Sequence, residues 1–192
     1  MLKIISTISF LLVINTCLMC QASVNFTPKS LRVELKKMVG VEVELKEITL
    51  APEMARTLHL GKFYSVIGNT NVFPVKYVYV GRVNTCRAGG CTIKHDEKYE
   101  TESEFFDYFL FFDSSATVQL VKIFNYEATH GQEVTSSNWL KQFKNYSGKE
   151  ELVVGKNVDA ISGATISVDA TTFDIELRTN LLKKIILQIA NK

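Results

Sequence analysis

The run at 105–112, Phe-Phe-Asp-Tyr-Phe-Leu-Phe-Phe, constrains the fold of this chain more than any other segment. So aromatic a stretch reads as a strand. Asp113-Ser114-Ser115 supplies a turn after it, and 117–124 is then its hairpin partner. Two further runs rich in Tyr, Val and Phe, 62–67 and 75–83, read as strands. Residues 41–48 alternate apolar and charged side chains with period two, the pattern of a half-buried strand. Residues 84–91 contain Gly89-Gly90 and read as a turn or loop.

Helical spacing appears in four other places. Leu31, Leu35, Met38 and Val39 follow a Thr/Pro/Ser start, and Gly40 breaks the pattern. A second helix is expected over 52–60, stopped by Gly61. Ser136-Ser137 opens a short helix through Trp139, Leu140 and Phe143 that ends near Gly148. From Ile166 to Lys184 and beyond a long closing helix is expected, with Phe173, Leu177, Leu181, Ile185 and Ile189 on one face. Residues 125–134 show no clear period. Strands mixed with helices that do not alternate regularly predict an α+β fold, one domain with a mainly antiparallel sheet flanked by helices. The 192 residues suffice for one sizeable core.

The first 22 residues differ from the rest. Lys3 is the only early charge, residues 4–19 are apolar apart from Ser6, Thr7, Ser9, Asn15 and Thr16, and Cys20-Gln21-Ala22 closes the stretch with small residues. This is the layout of a secretory signal. An uncleaved anchor needs about 20 apolar residues, slightly more than are present. Export with cleavage before Ser23 is therefore the expectation, leaving 23–192 as the domain. A lipid-anchored start at Cys17 or Cys20 fits less well, because the residues before either make a poor lipoprotein signal. Lys and Arg number 22 against 20 Asp and Glu, with no basic run, which argues against nucleic acid as a partner.

Chemistry concentrates in one loop, Asp159-Ala-Ile-Ser162-Gly163-Ala164-Thr165. Gly163 and Ala164 allow close approach, and Thr165 presents a hydroxyl where a helix begins, a place that favours phosphate. A plain helix N-terminus with Ser and Thr caps accounts for the same residues. Cys86 and Cys91, with two glycines among the four residues between them, are placed to form a disulfide in an oxidising compartment. That pair reads either as a structural bridge or as a redox-active dithiol, with Arg87 lowering a thiol pKa. No metal site is indicated.

Asp-x-x-Ser-Gly-Ala-Thr resembles the flavinylation motif of the FMN-binding domain found in the C and G subunits of sodium-pumping and related membrane NADH or ferredoxin oxidoreductases. Upstream, Glu127-Ala-Thr129-His130-Gly131-Gln-Glu133-Val134, followed by Trp139 and Phe143, resembles that family's Glu-Thr-Pro-Gly-Leu-Gly loop and the Trp-x-x-x-Phe helix after it. His130 stands where Pro is common in the family, and Ala128 is inserted after Glu127. The resemblance spans about 105–180. It implies covalent FMN on Thr165, with Asp159, Ser162, Gly163 and Ala164 as the frame that a flavin transferase recognises. It also implies electron transfer with membrane redox partner proteins, as a carrier rather than an enzyme with its own substrate. Thr129, Gly131 and Trp139 are then candidates for lining the ring or phosphate, although Trp139 reads equally as a core residue. A flavin-dependent or dithiol reductase using Cys86 and Cys91, and a non-catalytic exported binding module, are the competing readings.

Overall fold

A computed structural model describes residues 23–58, 60–68, 74–87 and 103–190. Five strands form one antiparallel meander in chain order: β1 (Glu44–Glu47), β2 (Gly61–Ile67), β3 (Tyr77–Arg87), β4 (Ser103–Phe112) and β5 (Val118–Glu127). Four α-helices accompany it: α1 (Lys29–Val39), α2 (Pro52–Thr57), α3 (Ser137–Leu140) and α4 (Thr165–Ala190). Two short 3-10 segments, Gln132–Thr135 and Lys141–Phe143, flank α3. The expected α+β fold, one domain with an antiparallel sheet, is what the chain adopts.

Strand β4 shows why the aromatic run dominates the fold. It pairs with β3 on one side and β5 on the other. Phe106, Tyr108, Leu110 and Phe112 point to one face of the sheet, Phe109 and Phe111 to the other, and all six are fully buried. Burying each of these side chains contributes about 1.5–3 kcal/mol. Both sheet faces therefore need cover. Leu31 and Leu35 of α1 cover Val78, Val80, Phe109 and Phe111 on one face. Val168, Ile175, Leu182 and Ile185 of α4, with Trp139, Leu140 and Phe143, cover Tyr79, Phe106 and Tyr108 on the other.

The Tyr79 ring lies over the cross-strand glycine pair Gly61 and Gly81, where a Cβ on either residue would collide with it. Beside it, Tyr108 Oη donates to Asp174 Oδ2 at 2.5 Å. Arg178 pairs with the same carboxylate, Nη2 to Oδ1 at 2.7 Å, and donates from Nη1 to the Thr57 carbonyl at 3.0 Å. One buried polar cluster thus joins α4 to the sheet and to α2. Burial holds the Tyr79 and Tyr108 phenols well above the ordinary value, reinforced by the Asp174 charge.

Several expectations need correction. Asn84 to Arg87 are not loop; they extend β3, with a register shift between Asn84 and Arg87. The exposed β1 covers only part of 41–48, and α2 ends at Thr57, three residues before the expected stop. Asn125 to Glu127, which carry no period in sequence, lengthen β5. Ser136 stands at the start of α3 but makes no side-chain cap.

The face of α4 is the largest correction. Leu181 and Ile185 are buried as expected, whereas Phe173 is 69 % exposed and Ile189 52 %. The helix instead buries Ser167, Thr171, Thr172, Asp174, Arg178 and Thr179 beside Val168, Ile175 and Leu182. Each buried threonine donates to the carbonyl four residues back, Thr171 to Ser167 at 2.6 Å, Thr172 to Val168 at 2.7 Å and Thr179 to Ile175 at 2.7 Å. Their hydroxyls are satisfied within the helix, so burial leaves no orphan donor.

Candidate functional site

The motif loop is held at both ends. Asp159 is gripped on each side of its backbone: its N–H donates to Gln142 Oε1 at 2.7 Å, and its carbonyl accepts the Trp139 indole N–H at 2.8 Å. Gln142 is itself oriented by donating from Nε2 to the Trp139 carbonyl at 2.9 Å. Trp139 is buried and meets Phe143 edge to face at 5.2 Å between ring centroids. The ring lies in the core and clamps the loop.

At the other end Ala164 is the anchor. It is buried, its N–H closes a turn onto the Ile161 carbonyl at 3.2 Å, and its own carbonyl accepts the first α4 bond, from Val168, at 2.9 Å. Ala164 therefore occupies the helix-capping position with a side chain that cannot cap. Gly163, in the third position of that turn, has φ of +82°. A left-handed residue there is what a type II turn requires, and glycine adopts it without the usual penalty. A Cβ at Gly163 would meet nothing within 4 Å, so the space above the loop is open.

Ser162 and Thr165 are exposed, and neither hydroxyl has a hydrogen-bond partner among the described residues. The cap reading of these residues fails on that observation. Among the described residues no side-chain oxygen accepts from the first N–H groups of this 26-residue helix, and Thr165 stands among them. Such an end attracts anions through its free donors and its dipole.

A second loop docks against the first turn of α4. Tyr126 Oη donates to the His130 carbonyl at 2.6 Å and shares a hydrogen bond with Ser167 Oγ at 2.9 Å. Gly131 is buried with φ of +84°, and a Cβ there would lie 2.5 Å from Ser167 Oγ. Only glycine lets this loop close on the helix. Thr129 is exposed and donates to Glu104 Oε1 at 2.5 Å. The Tyr126 ring stacks on Phe106 at 5.9 Å. Burial, with the Glu104 and Glu133 charges, raises the Tyr126 phenol, and the Ser167 hydrogen bond opposes this. The phenol stays protonated, as the bond to the His130 carbonyl needs.

The structure thus brings the motif loop, Trp139 and the loop of Thr129 and Gly131 to one end of α4. Sequence reasoning missed Tyr126, Gln142 and Ser167, which do the joining. Each acts through a contact between distant segments, and no local spacing marks it. Of the cysteine pair, Cys86 has its backbone in β3, while Cys91 lies outside the described residues. Among the described residues there is no cluster of His, Cys, Asp and Glu suited to a metal ion.

The residues present suit a phosphate-bearing ligand: an uncapped helix start, an unengaged hydroxyl and an open approach above a glycine. A comparison with curated protein sequences yields no match. A comparison with family models matches residues 91–173 to the FMN-binding domain, a stretch that runs through β4, β5, both loops, α3 and the first turns of α4. FMN is accordingly the supported ligand, and the match supports an FMN-binding domain over these residues.

Proposed function

We propose that this protein is an exported electron-transfer flavoprotein whose FMN is joined through its phosphate to Thr165. The observation that carries the reading is the state of that hydroxyl: exposed, without a hydrogen-bond partner, and set at a helix start whose capping residue is Ala164. A flavin transferase would supply the group. Thr165 Oγ attacks the FMN-side phosphorus of FAD, the pyrophosphate bridge breaks, AMP leaves, and the hydroxyl proton passes to the transferase or to water. No oxidant is needed.

Held there, the isoalloxazine ring supplies reversible uptake and release of electrons. The protein's share is placement. Trp139 and Gln142 fix Asp159, and the turn at Gly163 lifts Thr165 outward. Tyr126 and Ser167 set the second loop beside it. Covalency suits a domain exported without access to a cytoplasmic flavin pool. Membrane redox proteins are the expected donor and acceptor.

Co-expression of the full chain with a flavin transferase tests this. The expected product is yellow, carries the added mass of one FMN less water, and fluoresces in a denaturing gel. Thr165→Val keeps the branched shape and removes the ester oxygen, so the variant folds without covalent flavin. Its stability changes by no more than about 1 kcal/mol, since the hydroxyl makes no bond that is lost. Gel fluorescence persisting in Thr165→Val would refute the attachment site.

A further inference from the structure

Helix α1 carries Lys29, Arg32, Lys36 and Lys37 against a single carboxylate, Glu34. Its apolar side, Leu31 and Leu35, is buried on the sheet, and the four cations are exposed around Val33, itself 51 % exposed. Glu34 does little to balance them, because Lys122 of β5 takes it from beneath at 2.7 Å. Lys37 shares that carboxylate at 3.3 Å, and Lys36 reaches Glu42 at 3.3 Å. Lys29 and Arg32 have no ion-pair partner among the described residues.

Both lie in the first turns of α1, where the helix dipole disfavours cations and no acidic residue offsets them. Helix stability does not account for their presence. A basic outer face on an amphipathic helix is the electrostatic complement of an anionic lipid surface. The apolar segment at 4–19 precedes it closely in sequence. Residues 20–28 between them span at most about 30 Å when fully extended.

We infer that α1 is a membrane-docking surface: its outer face lies on anionic lipid headgroups. Because α1 and α4 cover opposite faces of the sheet, this docking turns Thr165 away from the bilayer toward the aqueous side. The inference does not depend on covalent FMN and can fail or hold independently of it.

Lysine acylation of the full chain, read by peptide mass spectrometry, tests it on phosphatidylcholine vesicles with and without phosphatidylglycerol. This readout holds whether or not the N-terminal segment is retained. Lys29, Lys36 and Lys37 should be acylated several-fold more slowly on the anionic vesicles, while exposed Lys184 of α4 reacts as it does in solution. The protection should vanish at high salt, where the screening length falls to about 3 Å at 1 M. It should also vanish at Lys36 and Lys37 in the double variant Lys29→Glu, Arg32→Glu, whose circular dichroism should be unchanged because both side chains are exposed. Equal acylation on the two vesicle types overturns the proposal and leaves this face to an acidic protein partner. Equal protection of Lys184, or protection that survives the charge reversal, overturns it as well.

Discussion

Gly131 and Gly163 offer a controlled comparison, because their backbones are alike and their surroundings are not. Their φ values are +84° and +82°, so an alanine at either incurs the same left-handed penalty, about 1–2 kcal/mol. At Gly163 that is the whole cost, since the new methyl meets nothing within 4 Å. At Gly131 the methyl would lie 2.5 Å from Ser167 Oγ, 3.0 Å from Ser167 Cβ and 3.0 Å from Tyr126 Oη. Ser167 is 4 % exposed and cannot swing into solvent. Overpacking of this kind adds about 1–3 kcal/mol. Gly131→Ala should therefore destabilise by about 2–5 kcal/mol and Gly163→Ala by about 1–2 kcal/mol. The assay is urea unfolding of the flavin-free chain, followed through the single tryptophan, Trp139, with unchanged m as the condition for comparison. Adding Ser167→Ala to Gly131→Ala removes the closest contact, so the double variant should recover part of the loss despite losing the Tyr126 hydrogen bond. Gly163→Ala costing as much as Gly131→Ala, or an absence of coupling to Ser167, would refute the reasoning.

Trp139→Phe keeps the edge contact with Phe143 but loses the hydrogen bond to the Asp159 carbonyl; it should cost about 0.5–1.5 kcal/mol and slow flavin incorporation, and an unchanged incorporation rate would remove Trp139 from the clamp. Tyr108→Phe withdraws one donor from buried Asp174 while Arg178 remains, so about 1–3 kcal/mol should be lost in urea unfolding at neutral pH; an unaffected midpoint would show the cluster to be dispensable. Burial, with Glu47 near one and Glu176 and Glu150 near the other, pushes Tyr64 and Tyr146 up to about 12. The folded chain then binds more protons than the unfolded one above pH about 10, so stability present below that value is lost as pH rises toward 12. Tyrosinate absorbance should rise together with loss of helix over that window, and phenols titrating at ordinary values in a folded chain would contradict the burial.

Strands were legible wherever burial was one-sided or dense. The aromatic run of β4 announced a strand, and its burial on both faces follows from carrying Phe106, Phe109, Phe111 and Phe112 together. The positions of α1 and α4 were legible from spacing, and Gly40 does end α1, in a left-handed C-cap with φ of +84°. The motif from Asp159 to Thr165 was visible as residue types in order, and so was the resemblance to the family whose model matches 91–173.

Tertiary structure decided which face of α4 is buried. Apolar periodicity chose Phe173 and Leu177, yet the sheet presents Tyr108, whose hydroxyl donates to Asp174, and the Tyr79 ring, over which the Arg178 guanidinium lies. Burial followed hydrogen-bond satisfaction there, which no hydropathy pattern records. Tertiary structure also decided how the motif's hydroxyls are used within the fold: neither caps α4. Sequence shows Ser and Thr at a helix start, where they ordinarily cap; only the fold shows Ala164 in the capping position and Thr165 with its hydroxyl free. The reason is geometric. A turn locked by Gly163 and clamped at Asp159 by Trp139 and Gln142 sets the phase at which α4 begins, and those contacts join segments that the sequence keeps apart.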